Sequence, residues 1–394
     1  MKKKFLINKF FMKECLVCDT YKKKYFGGLL SIKYNLNSNN IIYKFLGLNF
    51  MNRSFYNVGK SLYKIFKFIH IVKSPQDTAK FLLPVLVLRL KQQTNMENID
   101  AIPLQCHLGE TLMFLYYMKE WMINNNIKNP VFVSAQDYLK SLCEIFYPEI
   151  PFILVPPIFF NLHPADIPNY EYKGVRYHQN LSRPCFVKFE KKLKTDNSVH
   201  FYGEHMKTLG VLNADINLGK FPKSVVDSAE IKMKMLNLKK PFVFISPNAK
   251  SNGTMSKDFW DKLPVQLYKL GYDMFFNEMP WNIPNSSYKH CYLSIAEARY
   301  IAQQADVIFS VRSGLTDVIA NPNSIIFCVY HAFFKRGDLD AFSAQKALQA
   351  FSLKYLPIVD SDKIFEYNGE KESEGFILQD IIKRLSRVKG GYLE

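Results

Sequence analysis

The strongest constraint in this chain is an alternation. PFVFISPNA (241–249), GYDMFFNE (271–278) and ADVIFSV (305–311) are apolar runs of strand length. KSNGTMSKDFWDKL (250–263) carries the chain from a polar loop into a helix, LSIAEARYIAQQAD (293–306) is a helix with its own start signal, and RSGLTDVIA (312–320) is a turn entering another. Strands separated by helices of this length predict βαβ units and a parallel sheet. In open sheets of that kind, ligands sit outside the carboxyl ends of the strands, where loops lead into helix N-termini. Residues 248–257 and 312–317 are polar loops at that end, which points to an anion site suited to a nucleotide diphosphate.

The same alternation occurs earlier. IDAIPLQC (99–106), PVFVSA (130–135) and PFILVP (151–156) read as strands, with LMFLYYMKEWMINN (112–125) an amphipathic helix and DYLKSLCEIFYP (137–148) a second helix. Ser74-Pro75-Gln76-Asp77 is a helix start, and 92–98 is a polar break. Between the two α/β regions lies a less regular middle, 161–225, containing one helix in VHFYGEHMKTLGV (199–211). Residues 220–238 form the crossover into the second region, and FILQDIIKRLSRV (376–388) is a closing amphipathic helix. The expected fold is α/β, with two Rossmann-like doubly wound domains facing across a cleft. Residues 1–95 are a basic, partly helical extension, 96–225 the acceptor side and 226–394 the nucleotide-bearing side.

Charge is distributed unevenly. The chain has 52 Lys and Arg against 35 Asp and Glu, a net +17. Residues 1–73 hold fifteen basic residues and two acids, Glu14 and Asp19, or +13, which leaves about +4 for the remainder. Aromatics interleave with these lysines, as in Ser61-Leu62-Tyr63-Lys64-Ile65-Phe66-Lys67-Phe68. One reading is plain compositional drift. The other is attachment to an anionic membrane surface, at about 1 kcal/mol per basic residue. Nucleic acid is not expected as a partner, because no recognition module accompanies the charge. Seven scattered cysteines, an odd number, and the absence of a secretory signature predict a reducing, cytoplasmic setting. Cys15-x-x-Cys18 stands alone and is a weak zinc signal. The apolar runs 81–88 and 151–160 are too short or too interrupted by proline to span a bilayer, so membrane contact would be peripheral, on the inner face.

Several motifs together resemble a known family. A strand ends in Ser246-Pro247-Asn248-Ala249, Lys257 precedes Asp258-Phe259-Trp260, and Leu293-Ser294-Ile295-Ala296-Glu297 opens a helix. Ser313-Gly314-Leu315 starts another helix, and Leu108-Gly109-Glu110-Thr111 follows an earlier strand. This set resembles the heptosyltransferase-like glycosyltransferases, glycosyltransferase family nine and relatives, over about residues 99–390. Glu110 stands where the family usually has Asp, Asp317 stands where it commonly has His, and the basic extension has no counterpart. The resemblance implies the GT-B architecture and inverting transfer of a sugar from a nucleotide-diphospho-sugar, with no cofactor and no metal. The acceptor it implies is a glycan or glycolipid of the bacterial surface, lipopolysaccharide or capsule. A non-catalytic nucleotide- or glycan-binding α/β protein is the alternative reading.

Such a transfer needs a base at the acceptor hydroxyl and stabilisation of the departing diphosphate. By resemblance Glu110 is the base, held ionised by a helix start; as a residue alone it is equally a favourable first-turn acid. His107, Gly109, Thr111 and Asp317 are the acceptor-side candidates. Asn248, Lys250, Lys257, Arg312 and the turn Ser313, Gly314, Leu315 and Thr316 are the donor-phosphate candidates; Ser313 is equally a plain N-cap, and Lys257 a solvated surface lysine. Glu278, at a strand end, and Glu297 are nucleotide candidates, although Ser294-x-x-Glu297 is already a capping box. No DxD metal site appears in a suitable loop, no G-x-G-x-x-G follows a strand, and there is no P-loop.

Overall fold

In this computed structural model, the described residues are 13–17, 20–25, 30–35, 40–45, 48–54, 75–104, 108–156, 169–178, 189, 192–193, 195–196, 198–212, 214–249, 253–280, 288–332 and 343–390. The chain divides into two compact units. The first holds residues 1–105, 126–137 and 150–180, and the second holds 106–125, 138–149 and 181–394.

The first unit begins with a meander. Strands β1 (Lys13–Val17), β2 (Thr20–Tyr25), β3 (Leu30–Asn35), β4 (Asn40–Phe45) and β5 (Leu48–Ser54) pair in chain order, all antiparallel. These strands fall within residues 1–95, the segment expected from the sequence to be a basic, partly helical extension. Ile, Tyr and Phe recur in these runs and suit a pleated strand. Helix α1 (Pro75–Thr94) starts on Pro75, where the missing N–H costs nothing.

A second sheet in this unit is built from β6 (Ile99–Leu104), β7 (Pro130–Ser134), β8 (Phe152–Leu154), β9 (Asn169–Tyr172) and β10 (Val175–His178), in the order β8-β7-β6-β10-β9. All neighbours are parallel except the hairpin β9–β10. Lys173 and Gly174, with φ of 48° and 80°, form its two-residue turn, the left-handed pair that matches strand twist. In the sequence this hairpin lies inside the less regular middle, 161–225. Asp100 anchors the sheet: Oδ1 accepts from Arg176 Nε at 2.7 Å and lies 3.1 Å from His178 Nε2, while Oδ2 accepts the Lys128 and Asn129 N–H groups at 2.8 and 3.1 Å. Burial works to raise its pKa, but these bonds outweigh it and hold the carboxyl at about 2.

The second unit contains α2 (Leu108–Asn124), α3 (Leu139–Phe146), α4 (Phe201–Leu209) and α5 (Lys223–Met235). Next come β11 (Phe242–Ser246), the two-residue strands β12 (Asn248–Ala249) and β13 (Gly253–Thr254), α6 (Lys257–Lys269), β14 (Asp273–Phe276), α7 (Ile295–Gln304), β15 (Val307–Val311) and α8 (Gly314–Ile319). The last described elements are β16 (Ile325–Tyr330), α9 (Ala344–Phe351), β17 (Ile364–Asn368) and α10 (Glu374–Gly390). The strands of its main sheet are all parallel, in the order β14-β11-β15-β16-β17. Its core packs Trp260, Phe259 and Leu263 of α6 with Val243, Ile245, Phe309 and Phe327 of the strands and Ile381 and Leu385 of α10.

Helices α2 and α3 follow strands of the first unit but count with the second, because α2 packs on α8 and α4, and α3 packs on α7. The sequence reading of α2 as amphipathic holds only for its last turns, since every residue from Gly109 to Met118 is buried. Among the described residues no helix is long and apolar enough to cross a membrane.

Candidate functional site

The strand order of the second unit defines where a ligand belongs. From β11 the chain goes to β14 on one side and then returns to β15 on the other, so the order reverses between β11 and β15. Such a switch opens a crevice at the carboxyl ends of the two strands, where neither following loop blocks the other. Ser246 and Ser310 pair in register there, and the chain leaves through Asn248 on one side and Arg312 on the other. Glu278 lies just beyond β14, exposed.

Asn248 is buried and donates from Nδ2 to the Met279 carbonyl at 2.7 Å, tying the loop after β11 to the loop after β14. Lys257 is the first residue of α6 and faces solvent, with Nζ 2.6 Å from Asp261 one turn on. An exposed pair of this kind is screened by solvent and adds little to stability, which leaves the ammonium open to a ligand. Lys250 and His107 lie outside the described residues.

Arg312 is not the loose cation that the sequence suggests. It is buried, and its five N–H groups are all engaged inside the protein. Nε reaches the Phe351 carbonyl at 3.2 Å, Nη1 reaches the Ser313 carbonyl and Asp317 Oδ2, and Nη2 reaches Tyr202 Oη at 3.0 Å and Asp317 Oδ1 at 2.9 Å. Tyr202 Oη donates in turn to Asp317 Oδ1 at 2.5 Å. Burial raises the Asp317 carboxyl above its ordinary value, with Arg312 and Tyr202 opposing the rise. Burial alone would lower Arg312, yet Asp317 holds the guanidinium well above its usual value. The pair is a closed ionic strut and takes no phosphate in this arrangement.

The turn after β15 is held equally tightly. Ser313 N–H donates to Thr316 Oγ1 at 2.9 Å, and Thr316 Oγ1 lies 2.8 Å from Ser310 Oγ. Gly314 and Leu315 N–H have no hydrogen-bond partner among the described residues. With six residues α8 is too short for much macrodipole, so these donors act as individual groups.

Glu110 and Thr111 are buried in the first turn of α2. That turn lies against α8. A Cβ on Gly314 would sit 3.3 Å from Gly109 N and from Leu108 N. A Cβ on Gly109 would sit 2.1 Å from Asp317 Oδ2, which no real contact permits. Gly109 therefore provides close approach, as its type suggested, but the group that approaches is Asp317. Its carboxylate meets the positive end of α2, a favourable placement. The same two helices are bridged by Arg299, which was not read as a candidate: Nη1 donates to the Val318 carbonyl at 2.7 Å and Nη2 to Tyr116 Oη at 3.2 Å.

Glu297 occupies the capping box with Ser294 as the sequence indicated. Its Oε1 also accepts from Ser228 at 2.6 Å and from Lys232 at 2.7 Å, joining α5 to α7. Both oxygens are thus taken up in structure. Tyr202 was missed as well. Its partner Asp317 is 115 residues away, and no local pattern marks such a pair.

No family model matches this sequence, and no curated protein matches it. In structure the chain is similar to glycosyltransferases of the heptosyltransferase kind. The ADP-heptose lipopolysaccharide heptosyltransferase II of E. coli aligns with a TM-score of 0.45 at 11% identity, covering 74% of this chain and 99% of that one. The E. coli heptosyltransferase WaaC with ADP aligns at 0.41 and 11%, covering 73% and 99%. A glycosyl transferase family 9 protein from Veillonella parvula DSM 2008 aligns at 0.40 and 10%, covering 69% and 87%. Scores below 0.5 leave the roles of these residues to the chain's own geometry.

Proposed function

We propose that this chain is a glycosyltransferase. It moves a sugar from a nucleotide-diphospho-sugar to a hydroxyl of a bacterial surface glycan, lipopolysaccharide or capsule, with inversion and without a divalent ion. The observation that carries this reading is one juxtaposition: the first turn of α2, with Glu110, lies against the turn that leaves β15 beside the switch point. A base and a diphosphate pocket are then neighbours, as direct displacement requires.

In this scheme the Glu110 carboxylate takes the proton of the acceptor hydroxyl as its oxygen attacks the anomeric carbon. The bond from that carbon to the diphosphate oxygen breaks, and the nucleoside diphosphate leaves with the electron pair. Lys257 and the Gly314 and Leu315 N–H groups receive its charge. Asn248 shapes the loop, Glu278 contacts the nucleotide, and Arg312 acts through Asp317 rather than on phosphate. Residues 1–73 hold the enzyme on an anionic membrane at the cytoplasmic face.

The test is nucleoside diphosphate release from ADP-, GDP- and UDP-sugars by the purified full-length chain. We expect release with one of them, unchanged by EDTA and cut by Glu110→Gln to a residual rate seen only under single-turnover conditions, while that variant still binds the diphosphate. Full activity in Glu110→Gln removes the assignment of the base. The closed Arg312–Asp317 strut favours a second reading, a non-catalytic nucleotide- or glycan-binding protein; binding of the diphosphate without turnover of any donor decides for it.

A further inference from the structure

Tyr202 is fully buried on α4, far in sequence from every residue discussed as a site candidate, and its hydroxyl sits between the two members of a buried ion pair. We infer that Tyr202 is a positioning residue for Glu110, acting through Asp317 on the first turn of α2; the inference rests on the proposed role of Glu110.

The chain of contact is short. Tyr202 Oη bonds Asp317 Oδ1 and receives Arg312 Nη2, and Arg312 also spans both carboxylate oxygens, so together the two side chains give the carboxylate one orientation, with Oδ2 turned to the backbone of Gly109. Gly109 has no side chain to cushion a shift of that carboxylate, and Glu110 is the next residue. At the far end of α8, Arg299 joins Val318 to Tyr116 further along α2, so α2 cannot follow a displaced Asp317 as a rigid body. Loss of the Tyr202 hydroxyl leaves Asp317 held by Arg312 alone, with Nη2 of that arginine short of one acceptor, so the pair can shift together, and the resulting movement is concentrated at Gly109–Glu110.

The experiment measures kcat and donor KM in Tyr202→Phe, in Tyr330→Phe, and in Tyr202→Phe combined with Glu110→Gln under single-turnover conditions. Tyr330 is the control. It is a buried tyrosine beside Arg312 whose hydroxyl bonds the Phe351 carbonyl and Glu366, not Asp317. For Tyr202→Phe we expect kcat to fall by about 10- to 100-fold, the scale of a misplaced catalytic group, with donor KM changed less than about threefold. Tyr330→Phe should keep kcat within about threefold even where its unfolding midpoint drops as far. In the Glu110→Gln background the tyrosine substitution should cost less than about twofold, since the group it positions is gone. An active wild type with an indifferent Tyr202→Phe overturns the inference alone, as does a loss that multiplies independently of Glu110→Gln. A wild type with no transfer overturns the underlying reading and the inference together. Where Tyr202→Phe does not fold, Asp317→Asn replaces it under the same criteria, because it keeps the volume and removes the paired charge.

Discussion

With all five N–H donors of Arg312 engaged inside the protein, the charge of a bound diphosphate falls first on Lys257, which is exposed and only weakly paired. The two cations should therefore fail in different ways. Lys257→Ala should weaken nucleoside diphosphate binding about tenfold, the loss of one charge-assisted contact, with no change in the unfolding midpoint. Arg312→Ala leaves Asp317 buried and unpaired and should destabilise the fold by about 3–5 kcal/mol in denaturant titration. Unchanged binding in the first variant, or unchanged stability in the second, reverses these assignments. The residue types of the site were legible in the sequence; their partners were not. Nothing in R-S-G-L-T-D tells a phosphate-binding arginine from one locked to a tyrosine on another helix, because burial is a property of the assembled unit.

At the scale of elements, the start of α7 and the crossing of α2 with α8 are the two places where single atoms decide. The capping box at Ser294 accepts the Glu297 N–H at 3.2 Å and returns the Glu297 carboxylate to the Ser294 N–H at 2.7 Å. Ser294→Ala should cost about 1 kcal/mol, read as a shift in the denaturation midpoint. Gly109→Ala drives a methyl into Asp317 Oδ2 and should cost about 1–3 kcal/mol together with most of the transfer activity. A stable and active Gly109→Ala protein would show that the two helices do not approach this closely. Elements that carry their own punctuation, such as S-x-x-E before α7 or Ser-Pro before α1, were readable. The hairpin β9–β10 and the strands β16 and β17 were not read, although IIFCVY and IFEYN have strand composition. Their signal is too short to outweigh the surrounding irregular sequence.

For the whole molecule, two sheets with parallel strands were foreseen from the repeated alternation, while membership of the units was not. Helices α2 and α3 belong with the later unit because their packing partners are there, and chain order says nothing about that. Acid should weaken the first unit at Asp100. The Asp100 carboxyl titrates at about 2 in the fold against an ordinary value of 3.8, so its contribution is complete above about pH 4 and fades as pH falls toward 2. Asp100→Asn should flatten the loss of stability across that window; an unchanged acid-unfolding curve would exclude the anchor. The crevice at the carboxyl ends of β11 and β15 is the feature on which the functional reading depends, and its most direct measurement is the unfolding temperature of the full-length protein with ADP, GDP or UDP. At 100 times its dissociation constant, one of them should add about 2.7 kcal/mol and raise the midpoint by several degrees, an effect weakened in Lys257→Ala. No shift with any of the three would contradict a diphosphate site in that crevice.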